Sequence, residues 1–164
     1  MTARRLSHAI SHGEGISLIV AVGSPAAAVD AEAGGAGALL ATAAIEEIRA
    51  ASRLPIVCHE AGGDARIVEA DHADEGLASE AEIVVRVEHE EQLADVLERL
   101  DPELLVLAAR DADEPLEQVL ALLSDVPAGK LAIADLAGIT RDEIDELERA
   151  GVDAVLLREP LPAR

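Results

Sequence analysis

The side chains best suited to chemistry are scarce in this chain. Lys130 is the only lysine and Cys58 the only cysteine, and the histidines are His8, His12, His59, His72 and His89. Cys58, His59 and Glu60 stand in succession. An imidazole changes charge near neutral pH and could move a proton. If this stretch is a strand, however, Cys58 and His59 point to opposite faces, so the thiol has no adjacent base and reads as a small buried hydrophobe. Two ligand sets suggest themselves for a metal: His59, Glu60 and His72, or Cys58, His59 and Asp64. Neither has the paired Cys and His spacing of a zinc site, and no metal is expected. His8 and His12 are four apart with no third ligand nearby. Gly34 to Gly37 and Gly62 to Gly63 lack both the dinucleotide fingerprint and the phosphate-loop lysine, so no cofactor is expected. Glu88, Glu90 and Glu91 begin a helical stretch, where negative charge suits the helix dipole without any calcium.

These residues are embedded in an alternation of short apolar runs and segments of helical period, the mark of repeated β-α units and a parallel sheet. Seven strands are predicted: Ile16 to Val22, Gly37 to Thr42, Pro55 to His59, Glu82 to Val87, Leu104 to Ala109, Leu131 to Asp135, and Ala154 to Leu157. Several are apolar on both faces, as strands covered by helices should be. Between them, Leu93, Val96, Leu97 and Leu100 make one stripe after Glu88. Pro115 suits a first helical turn ahead of Leu116, Val119, Leu120 and Leu123. Thr140 is placed to cap a helix that buries Ile144 and Leu147 and ends at Gly151. In Gly62 to Ala81 the turn-forming Gly62, Gly63, Asp71, Asp74 and Gly76 interrupt the pattern, and no strand is predicted.

With 164 residues the chain suits one domain, residues 1–164, with residues 1–15 as an N-terminal extension. Half the residues are apolar, yet Phe, Tyr and Trp are absent, so the core must be aliphatic and no large aromatic platform is available to stack on an aromatic ligand. The net charge of −20 repels phosphate backbones and anionic bilayers, so neither nucleic acid nor membrane is expected as a partner. A lone cysteine and the lack of a leader-like or spanning apolar run point to the cytoplasm.

Four phrases taken in order resemble the indole-3-glycerol phosphate synthase family: EAGGAGALLAT at residues 32–42, LPIVCHE at 54–60, VVRVEHEEQLADVL at 84–97 and RAGVDAVLLREPL at 149–161. The resemblance runs from about Ile16 to Leu161. It implies an α/β fold, a parallel β/α barrel of TIM-barrel descent. Such barrels typically need about 250 residues. With the family's fourth strand compressed into Gly62 to Ala81, the expectation is an incomplete barrel of about seven strands with one β/α unit missing. Open edges in such a sheet would favour a homo-oligomer.

The family's reaction is a decarboxylating ring closure in which a lysine is the general acid, a second lysine and glutamates assist, and backbone amides grip the substrate phosphate. Ser24 and Pro25 match the family's Ser-Pro pair, but Ile16 to Gly23 carries neither the expected glutamate nor the lysine. His59 and Glu60 stand where the family has a lysine beside an acid, and Arg86 replaces a glutamate. Ala108 and Ala109 replace asparagines, while Arg110 and Asp111 match. Asp135 stands for a glutamate, Leu136 for a serine, Gly138 matches a phosphate-binding glycine if one gap is allowed, and Arg158 replaces another. Lys130 precedes a strand, at the barrel end opposite the usual catalytic face. The resemblance therefore implies a degenerate protein without the ring-closure activity that binds a small phosphate or carboxylate through Arg86, Arg110, Gly138, Arg158 and Ser24. A plainer reading has Arg86 paired with Asp135 or Glu60. Two alternatives remain: a lyase of tryptophan biosynthesis or a related sugar-phosphate enzyme, with His59 as acid and Asp135 as base, and an oligomeric scaffold or regulatory subunit.

Overall fold

Short runs rich in Leu, Ile, Val and Ala, too brief for helices, become eight parallel strands among the described residues. They are β1 (Ser17–Val22), β2 (Ala38–Ala41), β3 (Ile56–Cys58), β4 (Ala65–Glu69), β5 (Glu82–Val87), β6 (Leu104–Ala108), β7 (Leu131–Asp135) and β8 (Ala154–Leu157). In this computed structural model, which describes residues 4–11, 15–73, 81–109 and 113–158, each strand pairs with the next and β8 returns to β1, closing a barrel. The register agrees with closure. Followed one way, Ala21 leads through Leu40, Val57 and Ala65 to Glu82; followed the other way, Ser17 leads through Ala154, Ile133 and Val106 to Arg86. The two paths are offset by four residues on β1 (17 to 21) and four on β5 (82 to 86), together the stagger of eight that a β/α barrel of eight tilted strands requires.

Among the described residues six helices accompany the strands: α1 (Arg5–Ser11), α2 (Pro25–Ala33), α3 (Ile45–Ala51), α4 (Glu90–Arg99), α5 (Pro115–Ser124) and α6 (Arg141–Ala150). Thr140 caps α6 in a full capping box with Glu143, and Gly151 ends it with φ 103°. The outward residues of the strands and the buried faces of α4, α5 and α6 form one large aliphatic cluster, with Leu93, Val96, Val119, Leu122, Ile144 and Leu147 in its core.

The expectation of seven strands and a missing unit is corrected: β4 exists. It is hidden in the sequence because its five residues, ARIVE, carry two charges and stand between Gly62, Gly63 and Asp71. Its connection also breaks the usual rule that parallel strands need a crossover of about a dozen residues. Residues 59–64 suffice, because the chain turns straight back along the outside of β3. Gly63 makes this approach possible, since a Cβ there would lie 2.7 Å from the Ile56 carbonyl oxygen and 2.8 Å from Cys58 Sγ. Asp64 then fastens the return. Its amide donates to Ile56 O at 2.7 Å, its carboxylate accepts the Ile56 amide at 2.8 Å, and Arg5 and Arg49 pair with that carboxylate at 3.0 and 3.5 Å. After β4, residues 70–73 form a 3-10 turn whose Ala70 and Ala73 are buried. Because the barrel closes, the open edges on which a homo-oligomer was argued are absent.

The amino-terminal end of the barrel is plugged by α1. Leu6 and Ile10 pack into the interior cluster with Ile19, Leu40, Ile67 and Leu104. The first amides of a helix lack intrahelical partners. Here the buried carboxylate of Glu82, at the start of β5, accepts from the Leu6 amide at 2.8 Å, the Ser7 amide at 3.2 Å and the Ser7 hydroxyl.

Two substitutions test this account. Glu82→Ala strands those donors and should lower unfolding free energy by roughly 2–4 kcal/mol in urea titration. Gly63→Ala should cost roughly 1–3 kcal/mol, because the added methyl displaces the returning chain. An unchanged midpoint in either variant would refute the corresponding contact.

Candidate functional site

On strands whose side chains alternate between interior and exterior, the last inward positions line the carboxyl end of the barrel. These positions hold Glu69 on β4, Arg86 on β5, Asp135 on β7 and Arg158 just past β8, and His59 follows β3 on the same inward alternation as Val57. The register brings Glu69 beside Arg86 and Ala108 beside Asp135. Below them the interior is aliphatic, with Val84, Val106, Ile133 and Leu156 buried. The sequence thus sets one layer of charge on an apolar plug.

Asp135 is the centre of this layer. Its side chain is fully buried at 0% exposure and lies between two guanidinium groups. Arg158 donates to it from Nε at 3.4 Å and from Nη2 at 3.2 Å, and Arg86 Nε approaches within 3.8 Å. A carboxylate stripped of water this completely needs cationic hydrogen-bond partners to offset its lost hydration. Arg86 is mostly covered, and its Nη1 also reaches Glu69 at 3.3 Å and Glu88 at 2.5 Å. Burial alone would lower the Arg86 pKa, but the Glu88 hydrogen bond and the charges of Glu69, Glu88 and Asp135 outweigh it and hold the group above its ordinary value. The plainer expectation, an ion pair of Arg86 with Asp135, is met in the structure.

His59 stands exposed at the rim. Desolvation and then the Arg158 charge push its imidazole below the usual 6.5, Glu69 partly opposes them, and weaker opposed effects come from Arg86 and Asp135. It is thus mostly neutral at pH 7, a proton acceptor more than a donor. Cys58 is buried against the outer cluster, and burial pushes its thiol up despite Arg49, so it remains an unreactive packing group.

The remaining candidates are less central. The Ser24 hydroxyl is engaged as the N-cap of α2, accepting the Ala27 amide at 3.1 Å. Gly138 follows β7 with φ 62°, a backbone shape that favours glycine whatever binds there, and open space surrounds it. Arg110 lies outside the described residues. Lys130 sits at the amino end of β7, paired with Asp101. Among the described residues no cluster of three His, Cys, Asp or Glu side chains is arranged to hold a metal. No helix among them is long and apolar enough to cross a membrane.

Glu69 and Glu88 belong to this layer and were not predicted. Glu69 falls in the stretch that reads as turn, where the inward alternation of Ala65, Ile67 and Glu69 was the available signal. Glu88 reads as a dipole-favouring acid, and nothing in its spacing shows that it folds back onto Arg86.

No protein-family model matches the chain, and no curated protein matches it. Solved structures do. The N-acetylmannosamine-6-phosphate 2-epimerase from Clostridium perfringens superposes with a TM-score of 0.72 at 14% identity, over 87% of this chain and 86% of that one. Thiamine phosphate pyrophosphorylase from Pyrococcus furiosus gives 0.68 at 18% identity, over 87% and 85%. A Burkholderia cenocepacia protein proposed to be a phosphonomutase gives 0.65 at 13% identity, over 94% and 93%. At these identities the likeness is one of fold, the TIM-type β/α barrel.

The electrostatics of the layer can be read from its histidine. In an NMR pH titration His59 should titrate below 6.5, and Arg158→Ala should move it upward by removing a cation that disfavours imidazolium. A midpoint at or above 6.5, unmoved by the substitution, would contradict the placement of these charges.

Proposed function

We propose that this protein is a β/α barrel akin to the indole-3-glycerol phosphate synthases that has lost the ring-closure reaction and holds a small phosphate or carboxylate at its carboxyl end. One observation carries the first half of the reading. The reaction needs a lysine acid at the carboxyl end, whereas the chain's single lysine, Lys130, pairs with Asp101 at the opposite end. The sequence phrases are what tie the reading to that family; the fold alone is shared with an epimerase and a pyrophosphorylase.

Support for the second half comes from the two arginines. Arg158 uses Nε and Nη2 on Asp135, and its side chain is 31% exposed, so further N–H donors of a group with five are available to an anion. Arg86 Nε approaches the same Asp135 Oδ2 that Arg158 Nη2 engages. The names of two structural neighbours, N-acetylmannosamine-6-phosphate 2-epimerase and thiamine phosphate pyrophosphorylase, contain phosphorylated compounds, which agrees with an anion at this end of the barrel.

A retained lyase with His59 as acid and Asp135 as base has less support. The surroundings of His59 favour its unprotonated form, and the Asp135 carboxylate is fully buried and already engaged by Arg158 and Arg86.

The tests are direct. No indole-3-glycerol phosphate should form in a product assay, and turnover abolished by His59→Ala or Asp135→Ala would overturn the inactive reading. Calorimetric titration with inorganic phosphate or ribose 5-phosphate should give saturable heat that is lost in Arg158→Ala and weakened in Arg110→Ala. Absence of any heat would overturn the anion-binding half.

A further inference from the structure

The charge layer has two kinds of carboxylate, and they differ in what can move them. Asp135 is fully buried, bonded to Arg158 and set in the strand ladder beside Ala108, so withdrawing it from the guanidinium groups would require opening the barrel. Glu69 and Glu88 are about half exposed, at 54% and 51% of their side chains, and both converge on the same Arg86 Nη1. Arg86 itself is mostly covered, but water reaches both carboxylates and can solvate either one once released, so each contact holds less firmly than a fully buried pair.

The backbone beneath Glu88 is fixed even though its carboxylate is not. The Glu88 amide donates to Gln92 Oε1 of α4 at 2.8 Å, and its carbonyl oxygen accepts from Gln118 Nε2 of α5 at 3.1 Å. Two neighbouring helices therefore hold the hinge while the side chain alone is free to turn. Glu69 ends β4 and is held through the ladder opposite Arg86.

Counting charges gives the consequence. Arg86 and Arg158 supply two positive charges, whereas Asp135, Glu69 and Glu88 supply three negative ones, so with His59 neutral the layer has a surplus of one negative charge. An anion arriving there meets a guanidinium edge already filled by carboxylates. If Glu69 and Glu88 turn away, the remaining trio of Arg86, Arg158 and Asp135 has one positive charge in excess and presents the Arg86 edge outward.

We propose that Glu69 and Glu88 are internal stand-ins for the ligand, an autoinhibitory pair that a phosphate or carboxylate must displace from Arg86 in order to bind. This rests on the anion-binding reading above and adds to it a competition that sets the affinity. The ligand class follows from what the stand-ins are. Arg86 is already matched to carboxylate oxygens, so the incoming group is a compact oxyanion that can take the place of two glutamate side chains on one guanidinium.

The test is a gain of binding, which a damaged protein could not mimic. Calorimetric titration with inorganic phosphate is run on the full chain, on Glu69→Gln, on Glu88→Gln and on the double variant, with thermal melts confirming that each folds. Each substitution removes one exposed competitor. The double variant should bind phosphate roughly three- to thirtyfold more tightly than the parent, as expected for removal of one or two weak exposed pairs. Arg86→Ala introduced into the double variant should abolish the gain. Phosphate binding by the parent that is equal or weaker in the double variant would overturn the stand-in role while leaving anion binding intact. Binding by the double variant alone would support the proposal in its strongest form. Binding by none of the four proteins would overturn the anion-binding reading and this proposal with it.

Discussion

An eight-stranded β/α barrel encloses an interior that must be filled, and this chain has to fill it without Phe, Tyr or Trp. Leu, Ile, Val and Ala occupy the middle, with Ile19, Leu40, Val106 and Ile133 buried there. Both ends need something more. At the amino end the answer is a short helix whose Leu6 and Ile10 enter the interior and whose first amides find the Glu82 carboxylate. At the carboxyl end it is a layer of arginines and acids around Asp135. Strand β5 serves both, with Glu82 at one end of its inward face, Val84 between, and Arg86 at the other. The rise of the chain along β5 fixes the separation of those two polar anchors, so the plug and the charge layer are set by one strand.

The same economy explains how the fold tolerates so short a chain. A β/α barrel usually covers each strand with a helix, and around β3 this one substitutes the returning chain itself. That works only because β3 is three residues long and Gly63 lets backbone lie against backbone. The loss of a covering helix is offset by Asp64, which collects the Ile56 amide and the cations of Arg5 and Arg49. Residues from α1, α3 and the turn thus meet at one half-buried carboxylate.

Much of this was legible in the sequence. Seven strands, the Thr140 cap, the Gly151 stop and the helical start at Pro115 follow from local periodicity and capping chemistry, which depend on neighbours in the chain and survive folding unchanged. The carboxyl-end set of His59, Arg86, Asp135 and Arg158 follows from the resemblance and its strand facing, with Arg110, which lies outside the described residues, as its fifth member. What escaped depends on contacts distant in sequence. β4 escaped because a return of residues 59–64 violates the usual crossover length, and the reason it can do so lies in Gly63 meeting Ile56 and Cys58. Glu82 reads as an ordinary polar residue at a strand edge until α1 folds under it. Residues 5–11 resembled an extension because Leu6 and Ile10 are too few to announce a buried helix.

The overall charge of −20 and the two arginines of the carboxyl end act over different ranges. At physiological ionic strength charges more than about 8 Å apart are largely screened in solvent, so the acidic surface sets solubility and slows the approach of anions without deciding what happens on contact. Contact is decided by the layer itself. There the two guanidinium groups could not stand uncompensated over the aliphatic interior, and a fully buried Asp135 neutralises one of their two charges. The other remains, and it is met by Glu69 and Glu88 from the solvent side. A protein this acidic has surface carboxylates to spare for an arginine at its barrel rim. The distinction that matters is between the carboxylate the barrel cannot release and the two it can, because only the second kind leaves a guanidinium available to anything else.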